Sequence, residues 1–283
     1  MNLTSIDKHL LAIEKLLHHP QIDANEVLRH LYYVSSFPLL IFTIPAGTHV
    51  YRASSSFKNE YFTQISRICH PPGNAVKSYG RANIPRQSMF YCSEDQATPY
   101  LELINYWVKN VSVGELFHVT IGEWEVVKDV EAIVVVSSDN AQRKSQMEIH
   151  SGHAFDNHLA NMHKEQQKIS NLVYGKFHDW YSRPASVGND IYKVTSSITN
   201  KLVNAAKHLR KLRGAAVMYP SVANFEGGVN FAFEPAIVES GDLKLIRTWR
   251  IKIIAKANVE GFYNFTEVGR EYGTIHQDGL LTW

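Results

Sequence analysis

Short apolar segments with the composition of β-strands recur along most of the chain, and they constrain its fold more than any other feature. Turn-forming residues separate several of them, as Pro45-Ala46-Gly47 does near the start. The segments are PLLIFTI (38–44), THVYRA (48–53), SMFYCS (88–93), LFHVTI (116–121), EAIVVVS (131–137), AAVMYPS (215–221), GVNFAFEPAIV (228–238) and LKLIRTWRIKIIAKANV (243–259), the last giving one or two strands. Helical patterns lie between some of these segments without strict alternation. This order predicts an α+β fold and not a doubly wound parallel sheet.

Two amphipathic helices are predicted ahead of the first strand. In the first, apolar residues recur at helical spacing from Ile6 to Leu17, with Thr4 or Ser5 as its N-cap. The second begins after Asp23. Its predicted apolar face consists of Val27, Leu28, Leu31 and Tyr32. We expect both helices to pack as accessories on the main domain.

One long segment interrupts the strand pattern. Residues 139–199 are polar, rich in His and Gln, and helical or looped in pattern, and strand-like segments resume after them. We therefore interpret this segment as an insertion and not as a second domain. A helix over 199–213 is predicted to end at Gly214, a typical C-cap residue. The chain thus divides into a helical N-terminal extension (1–45) and one domain (46–283) that carries the insertion.

Composition and charge exclude several classes of protein. Hydrophobic residues make up 45% of the 283 residues, too many for a wholly disordered chain. The formal net charge of +2 does not support a dedicated nucleic-acid binder. Cys69 and Cys92 form no CxxC pair, which favours a reducing compartment. The N-terminus lacks the apolar core of a signal peptide, and no segment is apolar enough to cross a membrane, so we expect a cytoplasmic protein.

Several polar residues lie where a strand or helix would ordinarily carry apolar ones. They are Arg52 in HVYRAS, Gly80 and Arg81 in YGRAN, Tyr91 in SMFYCS, Glu102 in the helix that starts at Thr98-Pro99, Ser221 after a strand, and Asn230 after Gly227-Gly228. Guanidinium groups match phosphate oxygens, an aromatic ring offers a stacking surface, and a carboxylate can stabilise positive charge at a sugar carbon. Each residue also has a simpler explanation: a strand-edge ion pair, a core ring, a solvated charge or a turn.

The order of these motifs resembles one known family. HVYRA, YGRAN, MFYCS followed by TPYLEL, and GAAVMYPSVANFEGGVNFAF together resemble the RES domain family, which is named for its Arg, Glu and Ser. The resemblance covers roughly residues 49–239, apart from the insertion. Members of this family are toxins of bacterial toxin–antitoxin pairs. The resemblance implies an ADP-ribosyltransferase-like fold, with a split, bent β-sheet and NAD bound in a cleft.

The resemblance also implies a role for each candidate residue. Arg52 and Arg81 would hold the dinucleotide, and Tyr91 would pack against its nicotinamide end or the adjoining ribose. Glu102 would stabilise the cationic ribose as nicotinamide leaves. Ser221 and Asn230 would hydrogen-bond the ligand or orient Glu102. NAD would be the substrate and no metal would be needed.

Three questions stay open at this stage. Family members consume NAD with phosphate or water as acceptor, and some transfer ADP-ribose to a protein, so the acceptor is undecided. The family implies a neutralising antitoxin of helix-turn-helix type as partner. The small net charge argues against direct contact with nucleic acid, and the oligomeric state, a homo-oligomer included, is undetermined. A non-catalytic module that binds a nucleotide or a partner is the competing class of function.

Other signals are weaker. The densest histidine run, His150, His153, His158 and His163, does not keep to one helical face and matches no metal motif. Gly227-Gly228 is not a dinucleotide fingerprint, because no GxGxxG leads from a strand into a helix. Cys92 lies on an apolar strand, where a core role is simpler than that of a nucleophile.

Overall fold

The computed structural model describes residues 2–19, 21–56, 60–107, 112–185, 190–224, 227–259 and 262–283, with side chains for all of these except 105–107, 256–259 and 262–264. The helices are α1 (Leu3–Leu16), α2 (Ala24–Tyr33), α3 (Ala97–Trp107), α4 (Gln146–Ala160), α5 (Lys164–Ser182), α6 (Asp190–Arg210) and α7 (Pro235–Glu239). The strands are β1 (Ile41–Ile44), β2 (His49–Ser56), β3 (Phe90–Ser93), β4 (Leu116–Val126), β5 (Val130–Val134), β6 (Ala216–Pro220), β7 (Val229–Phe233), β8 (Leu243–Val259), β9 (Phe262–Ile275) and β10 (Leu281–Thr282).

The described strands form one mixed sheet in the order β1-β5-β6-β7-β3-β2-β4-β8-β9-β10. Strands β5 and β6 run parallel and the other neighbours are antiparallel. The predicted α+β class is therefore confirmed. Among the described helices, none is long and apolar enough to span a membrane.

The sheet is weakly joined at one place near its middle. Strand β2 pairs with β4 over all of its length, from His49 to Ser56, but it pairs with β3 only through Tyr51 and Ser93. On its far side, β3 pairs with β7 along four residues. The hydrogen-bonded ladder thus narrows to one residue pair between β2 and β3, which leaves room there for side chains.

Helices cover one face of the sheet and build the largest core. Apolar residues of α1, α2, α5 and α6 pack there against Val217 of β6 and Ala232 of β7, which are paired across the two strands. A second core on the opposite face joins Phe90 of β3 to Trp124 of β4 across β2, with ring centroids 4.8 Å apart. A third core is formed by apolar residues of β4 and β8, and Leu103 of α3 packs against it.

The N-terminal helices form where the sequence predicts them, with two differences. Ile6, Leu10 and Ile13 are buried as expected, but the N-cap of α1 is Asn2, whose side chain accepts from the Ser5 amide at 3.0 Å, and not Thr4 or Ser5. In α2, Asp23 is the N-cap and Val27 and Leu31 are buried. The predicted partners Leu28 and Tyr32 are 44% and 77% exposed, so the apolar face is narrower than the pattern indicates.

Two boundaries differ from the sequence prediction. Helix α6 begins at Asp190 and not at Thr199, so one continuous helix joins the predicted insertion to the rest of the domain. The predicted strand 228–238 is a strand only to Phe233. After it, Pro235 starts the short helix α7, as proline favours the first helical turn. The segment 243–259 forms a single long strand, β8.

Candidate active site

All the candidate residues from the sequence except Ser221 line one cavity of about 320 Å³, which lies where β2 and β3 diverge. Its walls come from the strands β2, β3, β6 and β7, the loop before β3, and the helices α3 and α6. The wall includes Arg52, Gly80, Arg81, Tyr91, Glu102 and Asn230, together with Ser93, Tyr192 and Tyr219, for which the sequence indicated no role. The site thus brings together residues that are far apart in the chain: Arg52 and Asn230 are 178 positions apart.

Glu102 reaches the cavity because of how α3 begins. The Asp95 carboxylate caps the helix by accepting from the amides of Ala97 and Thr98, each at 2.8 Å. Pro99, Glu102 and Leu103 then lie at helical spacing on the side that lines the cavity. The capped end therefore sets where Glu102 projects.

Two hydrogen bonds fix the Glu102 carboxylate, and both end on the same oxygen. Oε1 accepts from Ser221 Oγ at 2.8 Å and from Asn230 Nδ2 at 2.7 Å. No described residue donates to Oε2. The two bonds thus fix the orientation of the Glu102 side chain and leave Oε2 available to a ligand.

Asn230 is itself oriented by a residue that the sequence did not single out. Ser93 and Asn230 are paired across β3 and β7, and Ser93 Oγ donates to Asn230 Oδ1 at 2.6 Å. This bond turns the Asn230 amide nitrogen toward Glu102. In the sequence, Ser93 is simply the last residue of a strand segment. Its role becomes visible only from the register that pairs it with Asn230.

Ser221 differs from the other candidate residues. It lines a larger neighbouring cleft of about 830 Å³ rather than the cavity of Glu102. Its Oγ donates to Glu102 and accepts from the Asn224 amide at 3.1 Å. Ser221 therefore acts on Glu102 as a positioning residue in the wall between the two spaces.

Arg52 occupies the gap between β2 and β3. Its Nη1 donates to the carbonyl of Tyr91 at 2.8 Å and its Nε to the carbonyl of Ile68 at 3.2 Å. The guanidinium carbon lies 5.3 Å from the centroid of the Phe90 ring. Burial lowers the pKa of Arg52, and no described carboxylate pairs with it. Two neutral carbonyls leave its positive charge uncompensated, so an anion is the ligand that suits it.

Arg81 is held by the segment that we interpreted as an insertion. It donates to the carbonyls of Tyr181 and Arg183 at 2.8 and 3.1 Å, at the C-terminal end of α5. Its guanidinium carbon is 5.0 Å from the centroid of the Tyr192 ring in α6. Cations suit the C-terminal end of a helix, so part of the role of Arg81 is structural. No described carboxylate pairs with it either, and it adds a second positive charge to the cavity wall.

Tyr91 organises the loop that carries Arg81. Its hydroxyl accepts from the Ala82 amide at 2.9 Å and donates to Asn83 Oδ1 at 2.7 Å. Burial raises the pKa of this phenol, which keeps it protonated. At Gly80 an added Cβ would overlap Asn83 Oδ1 and crowd the Tyr91 hydroxyl, and because these two atoms are hydrogen-bonded to each other, the loop favours a glycine at this position.

Replacing Tyr91 by Phe is expected to lower the free energy of unfolding by about 1–3 kcal/mol, because it leaves the buried Ala82 amide without an acceptor. Chemical denaturation of the two proteins measures this difference. Tyr33→Phe, on an exposed ring of α2, is the control and should change stability little. Equal stability of Tyr91→Phe and wild type would contradict this role for the hydroxyl.

The remaining sequence signals add no reactive group to this site, although Cys92 borders the cavity. Cys92 is buried in the second core, as predicted, and burial raises the pKa of its thiol. Within the described ranges, no group of three or more His, Cys, Asp or Glu side chains is arranged to hold a metal ion. No protein-family model and no curated protein matches this chain.

Proposed function

We propose that this protein is an NAD-cleaving enzyme of the RES type with an ADP-ribosyltransferase-like fold. It would release nicotinamide and pass ADP-ribose to phosphate or to water. One observation carries the proposal. An oriented carboxylate, Glu102, shares a cavity with two arginines, Arg52 and Arg81, that have no acidic partner among the described residues. That set matches a ligand with an anionic diphosphate and a carbon that becomes positively charged.

The charge distribution supports a diphosphate ligand. Each arginine already donates to backbone carbonyls, which fixes the guanidinium without neutralising it. Oxygens of a phosphate group would complete the charge pairing. The cavity volume of about 320 Å³ is at the lower end of the range for ligand pockets, roughly 300–1,000 Å³. It suits the nicotinamide riboside half of NAD with its phosphate, and the adenosine half would extend toward solvent.

The chemistry follows from the carboxylate. The bond between the ribose C1″ and the nicotinamide nitrogen breaks, and its electron pair goes to the pyridinium ring, which leaves as neutral nicotinamide. The ribose passes through an oxocarbenium-like state, as in glycoside cleavage. Glu102 attracts that cation more strongly than it attracts the bound substrate, which lowers the barrier. An oxygen of phosphate or water then bonds to C1″, and the water loses its proton to solvent.

The narrow join in the sheet supports the finer fold assignment. An ADP-ribosyltransferase-like fold has a split sheet with NAD at the split. The single residue pair between β2 and β3, with Arg52 in the gap beside it, is consistent with that arrangement.

The family resemblance also suggests a biological setting. We infer a toxin that depletes cytoplasmic NAD and is neutralised by a helix-turn-helix antitoxin that covers the cleft. Transfer of ADP-ribose to a protein is the second candidate, and the cleft of about 830 Å³ beyond Ser221 favours it by offering room for a larger acceptor.

Replacing Ser221 by Ala is expected to lower kcat by about tenfold or more with KM little changed, because one of the two hydrogen bonds to the Glu102 carboxylate is lost. Steady-state nicotinamide release measures both constants. Ser221→Thr keeps the hydroxyl and should recover most of kcat. Ser66→Ala, at an exposed hydroxyl, is the control. A rise in KM alone, or no recovery by Thr, would contradict the positioning role.

The proposal is tested by incubating the purified protein with NAD, with and without phosphate, and identifying the products by mass. Nicotinamide with ADP-ribose 1″-phosphate indicates phosphorolysis, and nicotinamide with ADP-ribose indicates hydrolysis. If the folded protein binds NAD and releases no nicotinamide under either condition, the proposal that it cleaves NAD with phosphate or water as acceptor is wrong. A binding module, or transfer to a protein, would then be the better account.

A further inference from the structure

A second positively charged cavity lies on the sheet, away from Glu102. It has a volume of about 190 Å³ and is lined by residues of β4, β8 and β9 together with Tyr61. It shares no lining residue with the candidate active site. Along β8, Trp249 and Ile251 face the third core. Arg250 and Lys252 alternate with them and therefore point to the opposite face, where this cavity lies.

Arg250 is buried there without a partner for its charge. It is 3% exposed, and its Nε and Nη2 have no hydrogen-bond partner. Its guanidinium carbon lies 3.6 Å from the centroid of the Tyr61 ring, so stacking occupies one flat side of the group and leaves its N–H edge unpaired. Glu271 is opposite Arg250 in the β8–β9 register, yet it is exposed and forms no ion pair with it. A buried, unpaired guanidinium is costly unless an anion completes it.

The groups around Arg250 add donors and positive charge. His118 is 2% exposed and its Nδ1 has no hydrogen-bond partner. Burial and the nearby cations Arg250 and Lys252 lower the pKa of His118 to about 4, so the imidazole is neutral at pH 7. Lys252 is exposed and lies opposite His118 in the β4–β8 register. Arg270 also lines the cavity, but it pairs with Glu267.

We propose that this cavity binds a phosphate group, either inorganic phosphate or the phosphate of a monoester. The guanidinium edge of Arg250 offers two donors to two oxygens, the imidazole of His118 a third donor, and the ammonium of Lys252 a fourth. A tetrahedral dianion has enough acceptor oxygens for all of them, whereas a carboxylate has two. The site is independent of the proposed NAD chemistry, because it uses no residue of the Glu102 cavity.

The test is isothermal titration calorimetry of the whole protein with inorganic phosphate and, separately, with AMP, at constant ionic strength maintained with chloride. The substitution Arg250→Met should weaken phosphate binding by at least about tenfold, because the hydrogen bonds from the guanidinium to the phosphate are lost. Lys252→Met should also weaken it. Lys244→Met removes an exposed lysine from the same strand and is the matched control, expected to bind as wild type does.

The outcomes separate the two sources of phosphate and the failure of the proposal. Binding of inorganic phosphate alone, lost in Arg250→Met, supports a free-ion site. Binding of AMP with the same dependence on Arg250 supports a monoester site. Should Arg250→Met fail to fold, the comparison of Lys252→Met with Lys244→Met decides. No phosphate binding by wild type, or an affinity that neither Arg250→Met nor Lys252→Met changes, overturns the proposal.

Discussion

Replacing Glu102 by Gln is expected to lower the rate of nicotinamide release by about 10²–10³-fold, a typical cost of removing a preorganised electrostatic group. The glutamine carbonyl oxygen can still accept from Ser221 and Asn230, so the geometry is kept and only the negative charge is lost. In the proposed reaction the carboxylate attracts the cationic ribose more than it attracts bound NAD, so the effect should fall on kcat and not on NAD affinity.

The measurement compares single-turnover nicotinamide release with equilibrium NAD binding for wild type and Glu102→Gln. Glu165→Gln, at an exposed glutamate of α5, is the matched control and should leave both quantities unchanged. In cells, we expect expression of the wild-type protein to arrest growth and expression of Glu102→Gln not to do so. Near wild-type turnover of Glu102→Gln would contradict the role of this carboxylate.

Replacing Arg52 by Lys is expected to reduce both NAD affinity and turnover, with kcat/KM falling by about 10–100-fold. The guanidinium spans the gap between β2 and β3 by donating to two carbonyls, those of Ile68 and Tyr91. A lysine ammonium is a point charge on a flexible chain and cannot hold both carbonyls and a phosphate in one plane. The charge remains in Lys, so the loss reports the geometry of the fork.

Arg67→Lys is the matched control, because Arg67 is exposed and pairs with Glu60 on the surface. Thermal unfolding of each variant separates a loss of function from a loss of fold. If Arg52→Lys is folded and binds and cleaves NAD as wild type does, Arg52 serves the sheet and not the ligand.

The fold class was predictable from the sequence because it depends on local pattern. The strand composition of 116–121 and 131–137 identifies β4 and β5, and the apolar period from Ile6 identifies α1. Where the sequence prediction is wrong, the cause lies in tertiary packing. Leu28 and Tyr32 follow the helical period of α2 but are exposed, because α2 packs along the narrower line of Val27 and Leu31.

The sequence predicted part of the membership of the candidate site, but not Ser93, Tyr192 or Tyr219. Arg52, Tyr91, Glu102 and Asn230 stand out as polar residues in strand or helix motifs, and they do share one cavity. Their connections could not be predicted. The bond from Ser93 to Asn230 depends on strand register, and the anchoring of Arg81 by the carbonyl of Tyr181 joins residues 100 positions apart. Such contacts arise from packing, which the local sequence does not encode.

The placement of NAD relative to Glu102 is the central claim, and a crystal structure of Glu102→Gln grown with NAD tests it most directly. The slow variant should retain intact NAD in the cavity. We expect the diphosphate within hydrogen-bonding distance of Arg52 or Arg81, the nicotinamide end against Tyr91, and C1″ beside the side chain of residue 102. NAD bound outside this cavity, or bound in it with the adenine at residue 102, would contradict the account.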